Sequence, residues 1–453
     1  MKTKVETIAD SLLESINDGT YASKLPSEKE LSSLFKTTPV TAGKALNILR
    51  DKGIVARVPG RGTFILKDEI NKKITLNLLL RKNSETFYVE LWQEIVTILA
   101  EKYPSITLNV DVADNDYVDA IIEGKYDFYI NFSFMKDELY RYFVPFTGDF
   151  EEMLGSNSFY FRNIEFAHRA NGFAYGLPYT FSPMVLYVNR TLFKKIFKQN
   201  LPESITIEDL LDFAEKYQQS VVDFNVKFLE FFGIANLFNW ISGLMLKSEN
   251  ESIFDLSVEE FKKCLRVIKQ IYPQTIDEKN SFFTGDFLFR YSNRQLAFKL
   301  YGAESKVDFD VIRLACNNLK GSGFANESIF IHKNCENLDI AQKICKEIVS
   351  DKVQTFIGKK LLGIPVNKVA AIECIDNSTF RDYLIYDSIK NISAHDAVYS
   401  NECLETFMSL LQPYIYGLCD YDNFERKMIK VFEYHKFAGE SLGKKLVFED
   451  MFN

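Results

Sequence analysis

Leu25-Pro26-Ser27-Glu28-Lys29-Glu30-Leu31, then Thr37-Thr38-Pro39, then Pro59-Gly60-Arg61-Gly62: the reading of this chain turns on these three runs and their spacing. Ser27 and Glu30 stand in the S-x-x-E spacing of a capping box, which starts a short helix with Leu31, Leu34 and Phe35 on its apolar face. Thr38 is a natural cap for a third helix, and Pro39 suits a first helical position because the missing N–H has no partner there anyway. Ala42, Ala45, Leu46 and Leu49 mark the buried face of that helix, and Gly53 ends it. Upstream, Ile8, Leu12 and Ile16 share one stripe of a helix over Thr7 to Asn17, stopped by Asp18-Gly19. Downstream, Ile54 to Val58 and Thr63 to Leu66 read as strands joined by Pro59-Gly60-Arg61-Gly62. A helix, a helix-turn-helix and a basic hairpin describe a winged helix. Its third helix is expected to enter the major groove by its N-terminal end, with the wing along the backbone or minor groove.

The charge distribution points the same way. The chain as a whole is acidic, with a net charge of −8, yet residues 1–68 carry 11 basic and 8 acidic side chains. Within that segment Lys36, Lys44, Arg50, Lys52, Arg57, Arg61 and Lys67 face Asp51 alone between positions 36 and 67. A local basic block on an acidic chain is what a DNA reader attached to a body that does not bind DNA shows.

A length of 453 residues predicts two or three folding units, and 47% apolar residues are enough to build a sizeable core in each. Apolar runs such as Ile74 to Leu80 and Met184 to Val188 are short, far from the roughly 20 residues of a membrane span. The N-terminus becomes amphipathic and acidic at Glu6, Asp10 and Glu14 rather than apolar, so a cytoplasmic location is expected. All seven cysteines lie in the second half without a C-x-x-C pair, and are expected to be free thiols. The four histidines are scattered singly, so no metal site is expected and no cofactor is called for.

The first 68 residues resemble the gluconate-repressor (GntR) family. The resemblance rests on Leu25 to Leu31, Lys44 to Leu49, Lys52 to Val55 and Gly60 to Phe64, in that order and spacing. It implies operator binding as a dimer, with contacts at Lys29, Thr38, Thr41, Arg61 and Gly62. Lys36, Thr37, Lys44, Arg57 and Thr63 complete the set of candidate DNA contacts. One departure stands out: the family commonly carries arginines where this chain has Pro39 and Gly43. Two guanidinium groups able to grip guanine are therefore missing, and base reading has to lean on Thr37, Thr38, Thr41 and Lys44.

Residues 69–73 read as a charged linker. Beyond it, strand, helix and strand alternate: Ile74 to Leu80, Phe87 to Tyr103, Ile106 to Val112, a short helix over Val118 to Glu123, and a strand over Tyr126 to Phe132. The pattern recurs at Met184 to Val188, Ile207 to Gln219, Val311 to Ala315, Ser328 to Ile331 and Leu338 to Ser350. Such alternation predicts a mostly parallel α/β sheet with ligands bound at the strand ends.

Residues 74–453 resemble the extracellular solute-binding proteins that serve sugar importers, with the type-2 periplasmic-binding fold. Glu101 to Val110, Tyr175 to Lys195, Phe282 to Gly285 with Ala297 to Gly302, and Lys352 to Gly358 with Gly363 to Ala370 carry that resemblance as an ordered set. It implies an α/β architecture in which the winged helix-turn-helix of residues 1–68 is followed by a bilobed body over residues 74–453 that closes on a small solute, a mono- or oligosaccharide. The pocket positions it implies are Asn83, Ser133, Tyr179, Phe181, Trp240, Tyr301, Gly302 and Phe324. Sugars offer CH faces to aromatic rings and hydroxyls to polar groups, which makes Tyr179 and Trp240 the leading candidates, while Trp92, inside an amphipathic helix, reads as core.

Two alternatives accompany this reading. Heads of this kind also occur on aminotransferase-like bodies that hold pyridoxal phosphate, but no S-x-x-K before a Gly-rich turn is found, nor a G-x-S-x-G or a P-loop, and an enzyme is not expected. The other alternative is a dimeric regulator whose body takes no ligand.

Overall fold

The structure is a computed structural model. It describes residues 3–17, 19–66, 73–81, 87–113, 116–132, 137–160, 164, 168–170, 172–220, 226–231, 262, 265–266, 269, 281–302, 307–314, 324–392 and 401–441. The chain forms two compact units, residues 1–120 with 125–128, and residues 121–124 with 129–453.

The first unit opens with α1 (Lys4–Asn17), β1 (Lys24–Leu25), α2 (Glu28–Leu34), α3 (Pro39–Asp51), β2 (Val55–Val58) and β3 (Gly62–Ile65). The local signals act as expected. Ser27 Oγ accepts the Glu30 N–H at 3.3 Å while the Glu30 carboxylate accepts the Ser27 N–H at 2.7 Å. Those hydrogen bonds, first the one from the Ser27 backbone, hold the Glu30 carboxyl below its ordinary range. Thr38 Oγ1 caps α3 by accepting the Thr41 N–H at 3.2 Å. The hairpin runs in register from Val55 opposite Ile65 to Val58 opposite Gly62, and β1 adds a third strand through Lys24 opposite Phe64. Gly62 sits at φ 111°, a conformation open to glycine and strained for any other residue, which is why the wing tip turns there. Ile8, Leu12, Ile16, Leu31, Ala42, Leu46, Leu49, Val55 and Ile65 close a core drawn entirely from this segment. The winged helix therefore buries its own apolar faces.

The same unit continues with β4 (Ile74–Arg81), α4 (Phe87–Lys102), β5 (Ile106–Ala113) and the first residues of α5 (Tyr117–Glu123). β4 and β5 pair in parallel from Ile74 opposite Ile106 to Arg81 opposite Ala113, the geometry that a helical crossover imposes. Leu91, Trp92, Ile95 and Leu99 are buried along α4, so Trp92 is core.

The second unit is built on two sheets. One contains, in order, β16 (Ile364–Pro365), β9 (Gly176–Pro183), β15 (Phe324–Ile331) and β6 (Phe128–Phe132); a two-residue hairpin of β7 (Arg169–Ala170) and β8 (Phe173–Ala174) lies apart from it. The other has the order β11 (Ser204–Ile205), β14 (Phe309–Leu314), β10 (Val185–Asn189), β13 (Phe287–Ser292), β12 (Lys227–Phe231). The expectation of mostly parallel pairing needs correction. β9 runs antiparallel to β15 and β16, and β10 runs antiparallel to β13 and β14, whereas β12 with β13 and β11 with β14 are parallel. The reason lies at Met184, the single residue between β9 and β10. There the chain passes straight from one sheet into the other, with no helical crossover to bring it back parallel.

Besides a short helix over Asp149–Leu154, this unit holds helices α6 (Arg190–Phe197), α7 (Ile207–Ser220), α8 (Gln295–Gly302), α9 (Leu338–Ile348), α10 (Asp351–Lys359), α11 (Lys368–Glu373), α12 (Tyr383–Asp387), α13 (Asn401–Ile415) and α14 (Tyr421–Ser441). The core on the β10 sheet joins Leu186, Val188, Phe193, Phe213, Phe228, Leu229, Phe289 and Ile312 to Leu411, Tyr414, Phe424 and Met428 of the last two helices. Phe193 meets Phe197 and Phe213 edge-on at 4.9 and 5.4 Å, so much of the chain's phenylalanine serves packing. Among the described residues no helix is long and apolar enough to cross a membrane, and no group of His, Cys, Asp and Glu could hold a metal ion. Cys335, Cys345, Cys374 and Cys419 are free thiols.

Candidate nucleic-acid interface and ligand site

In the winged helix, Lys29, Lys36, Thr38, Lys44, Arg57, Arg61 and Gly62 are exposed, and Thr37 and Thr41 are half-buried. Lys36 takes a left-handed φ of 47° in the turn between α2 and α3. The Thr38 and Thr41 hydroxyls lie 2.9 Å apart at the mouth of α3, so the two share one hydrogen bond. Thr63 departs from expectation: it is 6% exposed. Strand alternation puts Thr63 on the same inward side of β3 as Ile65, and its backbone pairs with Arg57 on one flank and Leu25 on the other. Its neighbour Phe64 instead turns outward beneath Lys24, whose Nζ stands 5.4 Å from the ring centroid. Lys24 is exposed beside the wing tip and was not among the expected contacts, because a lone lysine on a two-residue strand carries no motif.

In the body, Asn83, Ser133 and Trp240 lie outside the described residues. Gly302 ends α8, and Phe324 opens β15 opposite Pro183. Tyr301 is 43% exposed, with its ring against Phe309 and Phe380 at 5.6 and 6.3 Å. Burial pushes the Tyr301 hydroxyl up from its ordinary value. Tyr179 and Phe181 lie two apart on β9 and are both buried, at 0% and 2% exposure. Tyr179 donates to Glu327 Oε2 at 2.6 Å, and Phe181 meets the Tyr160 ring edge-on at 5.5 Å. These two therefore stand inside the wall, with Tyr301 at a surface.

Around the crossing at Met184 the structure gathers polar groups that sequence reasoning missed. Arg294 N–H donates to Ser182 Oγ at 2.9 Å, tying the start of α8 to the end of β9. The Arg294 guanidinium donates to both Asp382 oxygens at 2.9 and 2.6 Å, and to the carbonyls of Gly358, Gly363 and Cys374 at 2.9, 2.8 and 2.9 Å. Burial by itself would ease the proton off, but the hydrogen bonds that the guanidinium donates to Asp382 prevail and raise Arg294 further. Gln295 donates to Glu327 Oε1 at 2.6 Å and to Leu362 O at 3.3 Å, and Tyr187 OH donates to Asn293 O at 2.9 Å. Arg294 and Gln295 thus fasten the helix that follows β13 to the strands and loops of the other sheet, while Asn293 is held by Tyr187 of β10 in its own sheet. A lone arginine in a Ser-Asn-Arg-Gln run gives no hint of this, because its partners lie 64 to 88 residues further on.

Two sheets flanked by helices and joined through a one-residue crossing define a two-lobed binding protein. The chain belongs to the bacterial extracellular solute-binding protein family, which matches residues 82–377. Residues 4–65 match the bacterial regulatory proteins of the gntR family, so a gntR-type winged helix is fused to a solute-binding body. The fold is similar to that of an ABC substrate-binding protein from Listeria monocytogenes solved with cycloalternan. The TM-score is 0.66 at 15% identity, over 82% of this chain and 100% of that one. An ABC transporter solute-binding protein from Thermotoga lettingae bound to α-D-tagatose has a TM-score of 0.65 at 15% identity, over 79% of this chain and 99% of its own. The GacH receptor of Streptomyces glaucescens, solved unliganded and with acarbose, has a TM-score of 0.65 at 14% identity, over 80% and 98%. No curated protein matches the chain by sequence. The body is of the binding kind and not of the aminotransferase kind; neither family is catalytic.

Proposed function

We propose that this regulator binds operator DNA through residues 1–68 and senses a mono- or oligosaccharide in the cleft between the lobes of residues 74–453, joined by a linker at 69–73. The observation that carries the reading is the fusion itself: a winged helix with a closed core of its own on a solute-binding body. The saccharide assignment is supported by the cycloalternan, tagatose and acarbose found in relatives of the same fold. Such a body attached to an operator reader makes sense in the cytoplasm, where both the DNA and the imported solute are met. A homodimer fits a small head that reads half-sites related by two-fold symmetry. Lys29, Lys36, Thr37, Thr38, Thr41, Lys44, Arg61 and Gly62 form the proposed DNA face, with the exposed Lys24 beside it. For the ligand, Asn83, Ser133, Trp240, Tyr301, Gly302 and Phe324 remain the proposed contacts, while Tyr179 and Phe181 are buried side chains of β9.

A thermal-shift screen of the full chain against mono- and oligosaccharides tests the sensing half. A true effector at 100 times its Kd adds about 2.7 kcal/mol of stability. A panel that moves nothing removes the saccharide. The coupling is expected to change operator affinity about 5- to 150-fold between the ligand-free and ligand-bound protein. Equal affinities in the two states would leave a regulator without a switch. Arg61→Ala is expected to weaken binding to every duplex alike and to lower the slope of log affinity against log salt by about one, as removal of one phosphate contact does.

A further inference from the structure

Gly43 leaves α3 without a side chain on one face, and the structure brings a guanidinium to that face from another element. Gly43 has no side chain, and a Cβ built there would lie 2.7 Å from Glu28 Oε1 and 3.1 Å from its carboxyl carbon. The Glu28 carboxylate, from the first residue of α2, thus occupies the place where a residue-43 side chain would begin. Arg57 comes across from β2 on the wing and closes on this carboxylate through Nη2. Its Nη1 donates to Asn47 Oδ1 at 2.7 Å, one helical turn beyond Gly43 on α3. The side chains of Arg57 and Glu28 are 33% and 38% exposed, so the pair is open to a partner and not sealed in the core.

Two physical points decide what such a group offers to DNA. Arg57 and Glu28 together are neutral, so the pair adds no net attraction for phosphate, and a lone carboxylate at this face would repel it. What remains is direction: a guanidinium has five N–H donors, and the contacts to Glu28 and Asn47 use two. The three left over, on a plane fixed at two points, suffice for the paired contact to guanine O6 and N7.

We propose that Arg57, drawn over α3 by Glu28 and Asn47 into the gap left by Gly43, is a specificity-determining residue that reads a guanine in the major groove. It acts there on a base edge, and not as a phosphate contact of the wing. This inference rests on the operator-binding reading of the winged helix.

The test is selection of duplexes from a randomised library by the full-length protein, its Arg57→Ala and Arg57→Lys variants, and Arg61→Ala as the reference for a phosphate contact. The wild type is expected to select a guanine in each half-site that both Arg57 variants cease to prefer. Both should bind the wild-type selected duplex about 5- to 150-fold more weakly. The affinity of Arg57→Lys for unselected duplex and its salt slope should stay near wild type, unlike those of Arg61→Ala, because the lysine keeps a cation beside Glu28. Arg57→Ala strands the Glu28 carboxylate and should weaken every duplex in addition. Glu28→Gln, which leaves the capping box intact, should lose part of the same preference at the same base pair, and it keeps the test open should Arg57→Ala fold poorly. The inference is overturned if the Arg57 variants keep every base preference. It is equally overturned if Arg57→Lys weakens all duplexes alike with a slope lower by one. If the wild type retards no duplex at low salt, the operator-binding reading falls first and takes this inference with it.

Discussion

Arg294→Met is expected to lower the unfolding free energy of the body by about 3–5 kcal/mol, the usual consequence of removing one partner from a fully desolvated ion pair. Arg294 and Asp382 are both 0% exposed. Methionine fills much of the arginine's stem but returns no donor. Asp382 would keep the Asp376 N–H at 3.0 Å and lose both guanidinium contacts, leaving a buried charge uncompensated. The carbonyls of Gly358, Gly363 and Cys374 would each lose a donor as well. Urea titration of the full chain, followed by near-ultraviolet circular dichroism, checks this as a lower midpoint at unchanged slope. A loss below about 1 kcal/mol would show that solvent takes over the role of the guanidinium and that the knot is not a structural anchor. Adding Asp382→Leu to Arg294→Met separates the charge from the carbonyls. Replacing both members of an ion pair with apolar groups is often neutral, so recovery measures the stranded charge. Here recovery should be incomplete, because three buried carbonyls still want donors at about 1–3 kcal/mol each. Lysine at position 294 should also fall short, since an ammonium cannot serve a carboxylate and three carbonyls in one plane.

The same knot shows where sequence stops informing structure. The capping box at Ser27 and Glu30 and the Thr38-Pro39 start were legible because each closes within three residues. The βαβ unit from Ile74 to Ala113 was legible because a helical period between two apolar runs admits one arrangement. β9 escaped, because Gly176 to Pro183 is buried at every position and has no alternation to read, and Pro178 and Pro183 argue against a strand. Its transfer into β10 through Met184 then turned pairings antiparallel that a crossover rule makes parallel. Of the candidate DNA contacts, the surface exposure of those on the turns of the winged helix was legible, since the motif fixes their local geometry. Thr63 was not, because one step of strand register decides whether it faces DNA or core. Arg57 was placed at the surface correctly, yet its partner Glu28 lies 29 residues away and no spacing rule connects them. Tyr179 was chosen for its motif and its ring; its hydroxyl turned out to be committed to Glu327, 148 residues away.

Acid is expected to destabilise the body through His168 in a pH window set by burial. The ring is 1% exposed and packs edge-on against Phe330 at 4.8 Å. Its Nε2 lies 3.1 Å from Asn326 Nδ2, and its Nδ1 lies 3.5 Å from the Tyr140 hydroxyl. With the Asn326 amide donating to Nε2, the network assigns the proton of the neutral ring to Nδ1. A second proton would have to enter at Nε2, against a donor and in apolar surroundings, and burial accordingly pushes His168 down from 6.5 to about 3. The folded value lies below the unfolded one, so the unfolded chain takes up the proton first. The stability conferred by the neutral ring is therefore complete above the unfolded value of 6.5, declines as the pH falls, and is lost by about pH 3. The slope is about 1.4 kcal/mol per pH unit, which makes the full loss on the order of 5 kcal/mol. His168→Gln retains a hydrogen-bonding group and removes the titration. Unfolding free energies of both proteins, measured at intervals from about pH 7 to about pH 4, should start apart by a fixed amount and converge as the wild type loses stability faster. Carboxylates that titrate in the same interval do so in both proteins and drop out of the difference. Two profiles that stay parallel over the interval would mean that His168 takes its proton in the folded chain as readily as in the unfolded one, and that its pocket admits a charge.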